Sequence, residues 1–248
     1  MRLEGKTAIV TGGASGFGAG IAQKFIAEGA RVMIADINGA AAREMAETLG
    51  AQAIAQQVDV ASTASVQEMA DTAHDAFGGL DILVNNAGVT HLPTPLEDVS
   101  EEDFDRVFNV NMKSVYLTGR AFVPMMKARG TGAILNVAST AGLSPRPNLN
   151  WYNASKGWMI TATKTMAVEL APSGVRVNAI CPVAGETPLL KSFMGEETPE
   201  IRAKFLSTIP LGRFSTPEDM ANAACFLCSD EASMITGTAL EVDGGRCI

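Results

Sequence analysis

The chain has 248 residues, 47% of them hydrophobic, with 27 acidic against 19 basic side chains and a net charge of −8. That is apolar material for one large domain or two small ones. The negative balance counts against nucleic acid and anionic membrane surfaces as partners, because both select basic faces.

No apolar run approaches the ~20 residues that span a bilayer. Met1 to Glu4 lead into a strand rather than an apolar leader, so a soluble, cytoplasmic protein is expected. Strand-like and helix-like runs then alternate. "KTAIVTGG" reads as a buried strand, and "GAGIAQKFIAEGA" as a helix stopped at Gly29. "RVMIAD" is a second strand, "NGAAAREMAETLG" a helix closed by Gly50, and "AQAIAQQVDV" a third strand. "ASTASVQEMADTAHDAFGG" is a helix and "LDILVNNAG" a fourth strand. A single long helix is expected from Ser100 to Gly130, opened by a capping box between Ser100 and Asp103. "GAILNVAST", "VRVNAICP" and "TALEVDGG" complete the strands. The helices between them are "WYNASKGWMITATKTMAVELAPSG" and "TPEDMANAACFLCSD", the latter with Thr216 as cap and Pro217 at its first position.

Strand then helix, repeated, predicts parallel strands joined by right-handed crossovers. Continuous apolar strands such as Ile82-Leu83-Val84 fit a sheet covered on both faces. The expected architecture is α/β: one doubly wound domain over residues 1–248, with about seven strands and helices on both faces. Residues 186–210, rich in Thr, Pro and charge, break the rhythm and read as a helical flap.

The turn "TGGASGFG" lies between the first strand and the first helix. Gly12, Gly16 and Gly18 permit a tight bend that aims helix amides at a pyrophosphate. Asp36 ends the second strand, placed as the acid that bonds an adenosine ribose. Its carboxylate repels a 2′-phosphate, and neither positions 13–15 nor 37–39 hold a Lys or Arg. NAD is therefore expected rather than NADP. Cys225 and Cys228 form a CxxC without a second pair, and there are only two histidines, so buried helix thiols and no metal site are expected. Tyr152, one of two tyrosines, stands four residues before Lys156 in "WYNASKG", on one helix face.

With these residues in view, the chain resembles the short-chain dehydrogenase/reductase family from Gly5 to about Gly245. The motifs are "TGGASGFG", Asp59-Val60, "NNAG" at Asn85 to Gly88, and Asn111, Ser139, Tyr152 and Lys156. The loop "CPVAGETP" departs from the Pro-Gly that the family often has after its sixth strand. The resemblance implies a Rossmann-type fold with NAD against Gly12, Ser15, Gly16, Phe17, Gly18, Asp36, Ile37, Asp59, Val60, Asn86, Ala87, Gly88, Tyr152, Lys156, Pro182, Val183 and Thr187. It implies a catalytic set of Asn111, Ser139, Tyr152 and Lys156. Tyr152 is then the general acid/base, with a pKa lowered by the Lys156 ammonium and the nicotinamide. Ser139 holds the substrate oxygen, and Asn111 binds a water that relays protons through Lys156. Asn85 reads as a sheet brace. From their loop positions His91 and Arg146 are expected as further substrate contacts, Arg146 or Lys191 being placed to meet an anionic substrate, and Trp151 shapes the pocket or packs.

The implied substrate is a small secondary or aromatic alcohol and its carbonyl. Alternatives are an NADPH-dependent 3-oxoacyl thioester reductase and a non-catalytic nucleotide-sensing scaffold. "TGGASGFG", "GETPLLKSFMG" and "IPLGRFSTPEDMA" are also similar to sulfobenzyl-alcohol dehydrogenases of toluenesulfonate breakdown. A homotetramer of 222 symmetry is implied, using the long helices and the C-terminal strand.

Overall fold

The computed structural model describes residues 1–195 and 198–248. Its strands are β1 (Thr7–Thr11), β2 (Arg31–Asp36), β3 (Ala53–Gln57), β4 (Ile82–Asn85), β5 (Gly132–Val137), β6 (Val175–Pro182) and β7 (Ala239–Val242). All pair in parallel, in the order β3-β2-β1-β4-β5-β6-β7. The sheet is the expected one. Its order reverses between β1 and β4, which opens a crevice at the carboxyl ends of those two strands.

Helices α1 (Gly16–Ala27), α2 (Gly39–Leu49), α3 (Thr63–Phe77), α4 (Glu101–Phe108), α5 (Ser114–Arg129), α6 (Asn150–Leu170), α7 (Leu190–Met194), α8 (Pro199–Leu206) and α9 (Pro217–Cys228) complete the described elements. Alternate strand residues face opposite ways, so each strand feeds two cores. Val10 joins Ile21 and Phe25 of α1 and Met220 of α9 on one face. Ile9 joins Met69 of α3, Phe122 of α5 and Leu170 of α6 on the other. Cys225 and Cys228 lie free and buried in the first core, as the helix reading expected.

A buried polar chain ties the sheet to its helices. Thr118 Oγ1 donates to Asn85 Oδ1 at 2.9 Å, and Asn85 Nδ2 donates to Asn136 Oδ1 at 2.9 Å. Asn136 Nδ2 donates in turn to Thr163 Oγ1 at 2.9 Å. Asn85 is a sheet brace, as read from the sequence. Buried amides are costly unless paired, so this chain fixes the register of β4 against β5.

The long helix expected from Ser100 is interrupted. After α4 the chain makes a π-helical turn over Asn109–Lys113 before α5 begins. The Asn111 side chain holds Val89 on both its N–H and its C=O, and donates to Ser155 Oγ at 3.0 Å. The wider turn lets that side chain point into the core, which a straight helix would not. Of the capping box at Ser100, the acceptance from Asp103 N–H at 3.1 Å is present. Thr216 and Asp219 form a complete one at α9.

The flap is helical: α7 and α8 pack over a small core of their own with Val183, Ile209 and Phe214. The part of the flap reading that falls on residues 196 and 197 lies outside the described residues. Among the described residues, no helix is long and apolar enough to cross a membrane.

Candidate active site

A cavity of about 480 Å³ runs from the β1–α1 turn to the flap. Two glycines of the turn, Gly12 and Gly16, have φ of 62° and 53°, a left-handed backbone that side chains resist. Gly18 is required by contact: a Cβ there would stand 2.1 Å from Gly12 O. Asn86 Nδ2 clamps the same turn by donating to Thr11 O at 2.8 Å and Gly12 O at 3.0 Å. Ser15, the N-cap of α1, makes no side-chain cap bond, and no acid lies in the first turn. The leading amides are thus free to meet an anionic pyrophosphate. Of the residues expected at the cofactor, all but Gly18 line the cavity. Gly18 shapes the turn from behind.

Asp36 sits at the same end, beside Ile37, Asp59 and Val60. Its carboxylate accepts from Ala14 N–H at 3.1 Å and Asn38 N–H at 3.0 Å. Those bonds hold it at the rim and leave lone pairs for two vicinal hydroxyls. The cationic residues lining the cavity are Lys156 and Arg146, both away from this end.

Ser139, Tyr152 and Lys156 converge at mid-cavity. Ser139 follows β5, and the other two lie one turn apart on α6. Tyr152 and Lys156 are both buried. Lys156 Nζ donates to Val137 O at 2.8 Å and stands 5.8 Å from the centroid of the Tyr152 ring. The backbone at Gly88 passes so close that a Cβ there would be 3.4 Å from Lys156 Nζ and 3.5 Å from Asn111 Oδ1. Asn111 is therefore next to the lysine, although it does not line the cavity.

The expected lowering of the Tyr152 pKa is not what the protein alone produces. Burial pushes the phenol up to about 12, and the Ser139 hydrogen bond that pulls it down is outweighed. Burial also brings Lys156 down to about 8, so the two groups, nearly equal when free, are driven apart and each is held toward its neutral form. The expectation counted the lysine's charge and omitted the larger desolvation of both partners.

The substrate-contact expectations divide. Arg146 lines the cavity, stacked over Phe205 at 4.3 Å. His91 is buried outside it, with Nδ1 2.8 Å from Leu92 O. Its reading as a substrate contact is corrected: the loop after β4 folds the ring inward. Trp151 packs edge-on against Phe104 at 5.3 Å and does not shape the pocket. Phe193 of α7 meets the Tyr152 ring at 5.1 Å. Ser144, Leu149 and Phe205 line the cavity without having been foreseen. The only signal for Phe205 was a single aromatic in the mixed flap helix "PEIRAKFL".

A family model described as enoyl-(acyl carrier protein) reductase matches residues 12–246. The chain is 50% identical over 252 residues to a 4-formylbenzenesulfonate dehydrogenase of Comamonas testosteroni, covering all of both chains. It is 41% identical, again over the full length of both, to a 3-oxoacyl-[acyl-carrier-protein] reductase of Thermotoga maritima. Among solved structures, a 3-ketoacyl-(acyl-carrier-protein) reductase of Brucella melitensis complexed with NADH superposes with a TM-score of 0.95 at 50% identity. That match covers 99% of this chain and 100% of the other.

Proposed function

The chain belongs to the short-chain dehydrogenase/reductase family of oxidoreductases, and on that premise we propose that it is an NAD-dependent enzyme interconverting a small aromatic or secondary alcohol and its carbonyl. The observation that carries the reading is the convergence of Ser139, Tyr152 and Lys156 on one wall of a cavity that also holds the glycine turn and Asp36.

The residues suit a dinucleotide. The open amides of α1 take the pyrophosphate, and Asp36 takes the ribose hydroxyls. Among the described residues lining the Asp36 end none is cationic to pair with a 2′-phosphate, which favours NAD. When bound, NAD⁺ supplies the hydride acceptor and a positive ring beside the phenol. Tyr152 Oη takes the carbinol proton during oxidation and returns it during reduction. Ser139 Oγ orients the substrate oxygen. Lys156, anchored on Val137 O, holds its ammonium near the phenol and favours the phenolate over the phenol. The Asn111 side chain bonds Val89 and Ser155 beside Lys156 and keeps a lone pair on Oδ1, which suits the proposed role of holding a water that relays protons through Lys156.

The relative from Comamonas, named for an aromatic aldehyde bearing a sulfonate, supports an aromatic substrate. A second reading, a 3-oxoacyl thioester reductase, has the names of two relatives in its favour and Asp36 against its usual NADPH. Residues 1–248 form one NAD-binding domain with its flap near 186–210. The protein is cytoplasmic and assembles as a homotetramer. Absorbance assays with NAD⁺ and NADP⁺ across benzylic, sugar and hydroxy-acid alcohols, with 3-oxoacyl thioesters in reverse, test the reading. It predicts turnover of benzylic or secondary alcohols with NAD⁺. Preference for NADP⁺ together with thioester reduction would replace it with the second reading.

A further inference from the structure

Among the described residues, the substrate end of the cavity holds positive charge without a counterion. Arg146 is half-buried, and its guanidinium makes one hydrogen bond, to the neutral Thr208 Oγ1 at 3.1 Å, while its flat face lies on Phe205. A guanidinium has five N–H donors, so most of its capacity is unused. Its loop is pinned: Asn153 Nδ2, next to the catalytic tyrosine, donates to Arg146 O at 2.7 Å. A second guanidinium stands nearby. Arg246 donates to the Oγ of Ser144, another lining residue, at 3.1 Å, and its Nε is buried without a partner.

Among the described residues, no carboxylate pairs with either arginine. Asp243, close to Arg246 in sequence, is engaged with the N–H groups of Gly245 and Cys247 at 2.9 and 2.8 Å. Burial and the charge of Arg246 both hold the Arg146 pKa below the usual guanidinium value. Two like charges kept together in a partly dry site are stabilised by a shared anion.

We infer that the substrate carries an anionic group, a carboxylate or sulfonate, in addition to its reacting hydroxyl, and that Arg146, backed by Arg246, receives it. The inference rests on the alcohol-oxidoreductase reading and names its substrate class. Phe193 against Tyr152 and Phe205 against Arg146 provide aromatic surface between the reacting end and the anion, which fits an arene carrying both groups. Arg146 forms the charge-assisted contact. Arg246 is a positioning residue that holds Ser144 and adds to the field.

The test compares kcat/KM with NAD⁺ for 4-(hydroxymethyl)benzoate, 4-(hydroxymethyl)benzenesulfonate and the neutral 4-(hydroxymethyl)benzamide. One anionic alcohol should exceed the amide by about 10- to 100-fold, mainly through KM. In Arg146→Gln that ratio should fall toward one, with partial recovery in Arg146→Lys. Arg246→Gln should lower the ratio less, and Arg246→Lys should restore it. Use of the amide by the wild type as well as both anionic alcohols, or an equal loss for the amide and the preferred anion in Arg146→Gln, overturns the inference. Calorimetric titration of the NADH complex with benzenesulfonate and benzamide reads the subsite without turnover. Arg146-dependent sulfonate binding in a protein that oxidises no alcohol would sink the activity and keep the anion site. Alcohol oxidation with no preference for the anion would do the reverse.

Discussion

Tyr152 is the proposed acid/base, and its surroundings in the protein alone oppose ionisation. With Tyr116→Phe, Tyr152 is the only tyrosine left, so ultraviolet titration reads it directly. Tyrosinate absorbance should be absent below pH ~10 and should rise toward about 12. Adding NAD⁺ should shift the rise downward, because its positive ring favours the phenolate. The sign follows for stability as well. A phenol held above its unfolded value of ~10 stabilises the fold below that pH and loses the contribution between about 10 and 12. Alcohol oxidation, which needs the phenolate, should speed up as pH rises, and carbonyl reduction should slow; paired pH profiles check this. Asp36 is the second decisive residue. Asp36→Arg removes the ribose acceptor and offers a phosphate partner, so the ratio of kcat/KM for NAD⁺ over NADP⁺ should fall by at least about 100-fold. The identities of both residues were legible in the sequence. The direction of the Tyr152 shift was not, because desolvation depends on what covers the ring, and Phe193 lies 41 positions away.

The turn between β1 and α1 and the break between α4 and α5 are the elements that set the site. Gly18→Ala places a Cβ against Gly12 O, so the turn must open. NADH affinity should fall at least about tenfold, and unfolding should come about 1–3 kcal/mol sooner in urea; retention of wild-type affinity would contradict this role for the turn. At α9, Thr216→Ala removes a capping-box acceptor and should cost about 1 kcal/mol in stability with cofactor affinity unchanged. Element identities were readable because the strands are short apolar runs and the helices carry clear stops such as Gly29 and Gly50. The π turn was hidden: Asn109 and Asn111 are weak helix formers, but nothing local distinguishes a π turn from an unbroken helix. What breaks the helix is the pairing of Asn111 with Val89 and Ser155, one from a loop and one from another helix.

Over the whole molecule, apolar side chains remain outside the two cores. Phe104 and Phe108 on α4, Tyr116 on α5 and Val168 on α6 are exposed, Val168 by 80%. Exposed apolar side chains of this kind fit the proposed assembly. Sedimentation velocity at micromolar concentration should show a tetramer, and Val168→Glu should shift it toward smaller species; a wild-type monomer would remove the assembly from the account. The doubly wound sheet and the order of motifs along it were legible from residues 5–245 alone. Arg146 was legible as a candidate substrate contact, but the support from Arg246 was not, because Ser144 and Arg246 meet across 102 positions and nothing local marks either one.

The proposed role of Tyr152 as the acid/base of an NAD-dependent alcohol oxidation is open to a direct test. The most direct measurement is the rate of NADH formation from NAD⁺ and the best benzylic alcohol in wild type and Tyr152→Phe, with NADH binding measured by fluorescence on both. The account predicts a loss of at least about 1,000-fold in kcat with NADH affinity within a few-fold of wild type. Turnover that survives in Tyr152→Phe at a comparable rate would contradict it.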